Sequence, residues 1–126
     1  MKEIITSSNA PPPVGPYSQA VALDGFIFLS GQVGRKPDTT DLEEGVAAQT
    51  RQAILNMQAV LAEKNLTLDN VVKTSVFLVD MDDFAEMNAV YGEFFDEDTA
   101  PARSTIEVSR LPLGASMEID AIASFS

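Results

Sequence analysis

The sequence predicts one α+β domain over residues 1–126, a sheet with two helices on one face. Two observations carry that prediction. Segments 42–64 and 82–96 hold apolar residues at helical spacing, while five other segments, and a short sixth at 3–6, read as strands. Two amphipathic helices can cover only one face of such a sheet, so the other face must be solvated or meet something else.

The elements follow in the order β-β-β-α-β-α-β-β. Pro11-Pro12-Pro13 reads as an extended lead-in, because proline fixes φ and restricts the residue before it. Segments 17–23 and 26–30 are strand-like, and Asp24-Gly25 between them is a two-residue hairpin signal. Residues 31–41 (GQVGRKPDTTD) read as a loop, with Asp41 as the cap of the first helix. In that helix Ala47, Ile54 and Leu61 recur at spacing seven, with Thr50 and Met57 between them and Val46, Ala53 and Val60 at the flanks. Asn65 is its expected stop. Residues 70–79 are β-branched and read as a strand. Phe84, Met87, Val90, Tyr91 and Phe94 form the stripe of the second helix, with Asp80 or Asp82 as its cap. Segments 104–109 and 117–125 are the last two strands. On 70–79, strict alternation sets Lys73 and Ser75 beside Val71, Phe77 and Val79. That face is too apolar for water and too polar for a monomer core, so a homo-oligomer packing sheet faces together is expected.

Composition removes several functions. There is no cysteine and no histidine, hence no disulfide, no thiol nucleophile, no zinc site built from those residues and no Ser-His hydrolase. Proton chemistry must use Asp, Glu, Lys, Tyr, backbone groups or water. The net charge is −11, and the eight basic residues are scattered, which argues against nucleic acid as a partner. No glycine-rich phosphate loop follows a strand. No apolar run reaches the roughly 18 residues of a membrane helix. Met1-Lys2-Glu3-Ile4-Ile5 lacks the apolar stretch of a signal peptide. The expectation is a cytoplasmic protein with no membrane partner.

Five features carry chemistry, and each has a plainer reading. Arg103, in Ala100-Pro101-Ala102-Arg103, presents a fork that matches a carboxylate, or is a surface arginine at a strand start. Glu118 can activate or orient water, or is one of the acids on the solvent side of a strand. Tyr17, in Gly15-Pro16-Tyr17-Ser18-Gln19, can meet a ligand or simply pack. In Ser30-Gly31-Gln32 the glycine lets a ligand approach the backbone, or marks a bulge. Asn88 is a poor helix former inside a helix, and fixes either a local contact or a ligand.

Together these blocks resemble the RidA/YjgF family. GPYSQAV (15–21), SGQVG (30–34), AAQTRQAILNMQAVL (47–61), VVKTSVFLVDMDDFAEMNAVYGEFF (71–95), APARSTIEVSRLP (100–112) and MEIDAIA (117–123) fall in the family's order and cover nearly the whole chain. The resemblance implies a chorismate-mutase-like α+β fold with a mixed sheet. Three copies would assemble as a homotrimer around a barrel-like core, with clefts between subunits. It implies hydrolysis of 2-aminoacrylate-type enamine/imine intermediates to 2-oxo acids and ammonia, without cofactor or metal. Arg103 would anchor the substrate carboxylate, and Glu118 would assist water or proton transfer. Tyr17, Ser30, Gly31, Asn88 and Thr105 would line the cleft. Two departures stand out. Thr105 occupies a position where many members carry cysteine, and residues 32–41 lack the family's usual Pro-containing continuation and T-G-E turn.

Geometry adds a constraint. If 104–109 and 117–125 formed a simple hairpin, Arg103 and Glu118 would lie roughly 16 Å apart along the strands. Either another strand separates these two, or neighbouring subunits complete the site. Three other functions compete with deamination. A regulatory trimer binding small carboxylates would need Arg103 but not Glu118. A protein-binding role would need exposed apolar area. RNA cleavage is opposed by the charge and the missing histidine.

Overall fold

Asp24-Gly25 makes the tight turn its sequence demands, with positive φ at both residues, 52° and 85°, the type I′ pattern that suits twisted hairpin strands. The computed structural model describes residues 1–126. The elements are β1 (Glu3–Ile5), β2 (Ala20–Leu23), β3 (Phe26–Val33), α1 (Gly45–Ala62), β4 (Val71–Leu78), α2 (Phe84–Phe94), β5 (Ala102–Glu107) and β6 (Met117–Ser124). The strands form one sheet in the order β1-β2-β3-β6-β4-β5. All neighbours are antiparallel except β4 and β5, which run parallel with α2 as their crossover. The fold is α+β with a mixed sheet and two helices, as the sequence predicts.

The first helix begins later than its apolar pattern implies. Arg35 and Leu42 form an isolated bridge, and the Glu43 amide donates to the Gly34 carbonyl at 2.8 Å. Both bonds keep residues 42–43 in extended backbone. Gly45 then turns the chain with φ 84°. Asp41 therefore caps nothing, and the N-cap is Glu44, which makes no side-chain cap bond. The other end is as expected. Asn65 takes φ 58°, and the Leu66 amide returns to the Leu61 carbonyl at 3.1 Å, the closure that a left-handed residue allows. Asp80 accepts from the Asp82 amide and starts a short 3₁₀ turn, Met81–Asp83, that leads into α2.

The core lies between the helices and one sheet face. Ile27, Ile54, Met57, Leu61, Leu78, Met87, Met117 and Ile119 are all fully buried there. Two strand irregularities decide which residues face it. β3 carries an extra residue between Leu29 and Gln32 relative to β6, and β4 is irregular between Val71 and Lys73. Such bulges shift the alternation by one. Val71 is consequently buried in the core. The expectation that it shares a side with Lys73 is corrected, while Ser75 and Phe77 do share that side. Likewise the segment 31–33, expected to be loop, continues β3.

Cross-strand pairs share a face, so register defines the side away from the helices. Phe28 pairs with Val21 and Ile122, Phe77 with Glu118 and Ile106, and Ser75 with Asp120 and Ser104. Phe28 is 45% and Ile106 49% exposed. Lys73 Nζ donates to Ser104 Oγ at 3.0 Å among them. This is the mixed apolar and polar face inferred from the sequence.

Candidate active site

The sequence candidates fall into two groups on opposite faces of the sheet. Arg103 pairs in register with Thr74, which is buried on the helix side, and Thr105 pairs with Val76, also buried there. Glu118 pairs with Phe77 on the other side. β4 lies between β5 and β6, so another strand does separate Arg103 from Glu118. Three residues along and two strands across put their backbones roughly 14 Å apart. Within one chain they cannot meet one small ligand.

The first group is built on β5 and α2. Arg103 Nη1 donates to Asn88 Oδ1 at 2.8 Å. Its guanidinium carbon lies 4.6 Å from the Tyr91 ring centroid and 5.5 Å from that of Phe84, within cation–π range. Thr74 Oγ1 and the Tyr91 hydroxyl bond at 2.8 Å, which locks the ring that carries Arg103. Burial pushes the Tyr91 pKa up, against the opposing pull of the Thr74 bond and the Arg103 charge. No carboxylate lies within ion-pair distance of Arg103. Ala100, Pro101 and Gly92 complete a cavity of about 440 Å³ beside it. Thr105 Oγ1 is buried with no hydrogen-bond partner. The sequence singled out Arg103 and Asn88, but read Tyr91 only as core. Its spacing from Asn88 along α2 was the available signal for a shared role.

The second group sits at the β3 bulge. Tyr17, Ser30, Gly31 and Glu118 line one cavity of about 340 Å³ together with Val14, Val33, Arg35, Pro112 and Leu113. Ser30 Oγ donates to the Ser18 carbonyl at 2.6 Å, which ties the bulge to the Tyr17 segment. Gly31 lets the Glu118 side chain lie close: a Cβ there would stand 2.6 Å from Glu118 Oε2, so a larger residue would displace the carboxyl. The carboxyl of Glu118 thus lies directly over the Gly31 backbone. Its pKa is raised, first by burial and then by the neighbouring Asp120 charge. The sequence missed Arg35 because residues 31–41 read as a surface loop.

The raised Glu118 value has a consequence for stability. Burial favours the protonated form, so ionising Glu118 weighs against the folded chain. That cost is absent below the usual carboxylate value of 4.5 and grows as pH rises through the higher folded value. Glu118→Gln is expected to stabilise the fold at pH 7, with the gain closing as pH falls below that value. Denaturant melts at both pH values measure it, and a gain as large in acid as at pH 7 contradicts the assignment.

Comparison with known proteins adds the family. The family model described as Endoribonuclease L-PSP matches residues 7–125. A RutC family protein of Synechocystis sp. is 51% identical over 123 residues, 96% of this chain and 95% of the relative. The 2-iminobutanoate/2-iminopropanoate deaminase of Escherichia coli K12 is 45% identical over 125 residues, 98% of each chain. The crystal structure of E. coli TdcF with bound serine superposes with a TM-score of 0.92 at 40% identity, covering 98% of this chain and 99% of that one. Near full-length likeness in sequence and fold, over a chain carrying the PARS and SGQ blocks, makes this protein a member of the RidA/YjgF family.

Proposed function

We propose that the protein is a hydrolytic deaminase of 2-aminoacrylate-type imines, working as a cytoplasmic homotrimer whose sites lie between copies of the single domain 1–126. The observation that carries this reading is the division of the site. One cavity offers a guanidinium without a carboxylate, the other a protonatable carboxyl without a cation that pairs with it. They lie on opposite faces of one sheet, so two copies packing through the exposed Phe28 and Ile106 face could bring complementary halves together. The chorismate-mutase-like trimer is the assembly this arrangement favours. The 45% identical deaminase and the serine-bound relative support a small ligand bearing a carboxylate.

In this mechanism Arg103 of one copy grips the substrate carboxylate through two charge-assisted hydrogen bonds. Asn88, Tyr91 and Phe84 hold the guanidinium in place, and Thr105 lines the same side. Tyr17, Ser30 and Gly31 of the neighbouring copy form the opposite wall. Glu118 there takes a proton from water as the water oxygen bonds to C2 of the protonated imine, and the C=N π pair becomes the lone pair of the amine nitrogen. The carbinolamine then collapses: Glu118 returns its proton to nitrogen, the C–N bond breaks as the hydroxyl oxygen closes to C=O, the hydroxyl proton passes back to Glu118, and ammonia leaves with a 2-oxo acid. A pKa raised above the usual carboxylate value suits Glu118 to both taking and returning a proton. The imine is electrophilic once protonated, so positioning does most of the work and no side-chain nucleophile is needed.

The test is a coupled assay. A dehydratase releases 2-aminoacrylate from serine while semicarbazide competes for the imine. The protein is expected to suppress semicarbazone formation, and light scattering is expected to give three times the 13.5 kDa chain mass. Undiminished semicarbazone with this imine and with bulkier ones, or a clean monomer, overturns the reading. Activity on RNA is not expected: the chain has no histidine and carries net charge −11.

A further inference from the structure

We infer that Arg35 is a specificity-determining residue of the Glu118 cavity, set to hold a second anionic group, so that the site favours 2-oxo and 2-imino acids carrying two carboxylates. The ligand class rests on the function proposed above; the placement of Arg35 does not. Arg35 is only 6% exposed, and an arginine stays charged at any relevant pH. A guanidinium withdrawn from water needs a counter-charge or a full set of acceptors. This one has neither. The chain holds 19 acids, yet its ion pairs join Lys36 to Glu43, Arg51 to Glu93 and Lys64 to Glu3, and none includes Arg35. Glu118 shares the cavity but lies beyond ion-pair distance.

The side chain makes one hydrogen bond, from Nε to the Thr39 carbonyl at 2.9 Å. The two terminal nitrogens have no partner in the chain, and neither is sealed off as a buried unsatisfied atom. Arg35 belongs to the wall of the cavity lined by Tyr17, Gly31 and Glu118, and of a smaller one that shares Tyr17 and Gly31 with it. A structural role in closing the 36–41 loop accounts for Nε alone.

The mount is rigid. Asn56, fully buried on α1, donates to the Arg35 carbonyl at 2.8 Å. Gly34 packs so closely on α1 that a Cβ would stand 2.3 Å from the Gln49 Cα. The Arg35 amide donates to the Val33 carbonyl at 2.9 Å, and the backbone bridges to Leu42. A preorganised, unneutralised cation is what recognition of an anion requires. Because the whole chain is strongly acidic, only a local cation can offset the repulsion of a doubly charged ligand. With Arg103 of a neighbouring copy on the first carboxylate, Arg35 is left to take the second, and about 340 Å³ accommodates a five-carbon diacid.

Calorimetric titration of the assembled protein with 2-oxoglutarate and with 2-oxobutanoate tests this. Wild type is expected to bind 2-oxoglutarate at least about tenfold tighter, the effect of one charge-assisted contact. Arg35→Met is expected to bring the ratio near one, and Arg35→Lys to reduce it, since a lysine keeps the charge without the fork. Equal affinities in wild type overturn the inference, as does a preference that either variant leaves undiminished. Light scattering checks assembly, and where Arg35→Met fails to assemble the lysine variant decides. If wild type hydrolyses monocarboxylic imines but binds both oxo acids alike, the Arg35 inference falls and the deaminase reading stands. If no imine is hydrolysed but the Arg35-dependent preference is present, the inference stands and the site is a binding site.

Discussion

Arg103→Met is expected to lower kcat/KM for imine hydrolysis by on the order of 10²–10⁴, the loss of two charge-assisted hydrogen bonds to a carboxylate. The substitution keeps most of the length and the apolar stem of the side chain, so the fold and assembly should survive. The loss should fall on binding and orientation together, because the same grip that binds the substrate aligns C2 for water. Arg103→Lys should recover little: an ammonium cannot reproduce the guanidinium contact, 4.6 Å from the Tyr91 ring centroid, together with the bond to Asn88. The coupled semicarbazide assay reads all three proteins. An Arg103→Met variant with near wild-type activity would remove the anchor from the mechanism.

Glu118→Gln is expected to lower kcat by about 10²–10⁴, the usual worth of a positioned general acid or base. KM should change little, since Gln keeps the shape over Gly31 and the substrate carboxylate is held elsewhere. In wild type, activity should decline in acid with a midpoint above the usual carboxylate value of 4.5, because burial and Asp120 raise the Glu118 pKa. Glu118→Gln should lose that acid limb. The same substitution stabilises the fold at pH 7 in the account above, so one residue trades stability for chemistry. A variant that is both less active and less stable at pH 7 would point instead to a structural role.

How much of this was legible in the sequence depends on the range of the interaction. The Asp24-Gly25 turn, the Asn65 stop and both helical stripes are local, and residue chemistry alone places them. The late start of α1 was not legible, because it follows from the Arg35–Leu42 bridge and the Glu43 bond to Gly34, which only the folded chain assembles. The two bulges were hidden for the same reason. One moves Val71 into the core and the other carries β3 through Gly31 to Val33. Candidate residues could be named from their motif blocks, yet their faces could not. Arg103 looks toward α2 only because β5 pairs parallel to β4 with Thr74 opposite, a contact set by the α2 crossover. The buried charge of Arg35 was invisible, since a Gly-Arg-Lys run in a polar stretch reads as solvated.

The most direct test of a shared site is subunit complementation. Arg103→Met and Glu118→Gln, each nearly inactive alone, are unfolded together and refolded as mixed trimers. If Arg103 of one copy works with Glu118 of another, random assortment restores about one quarter of the sites, and activity should return to about that fraction of wild type. If each chain carried a complete site, every site in the mixture would lack one residue. Activity would then stay at the level of the single variants, contradicting the proposed intersubunit site.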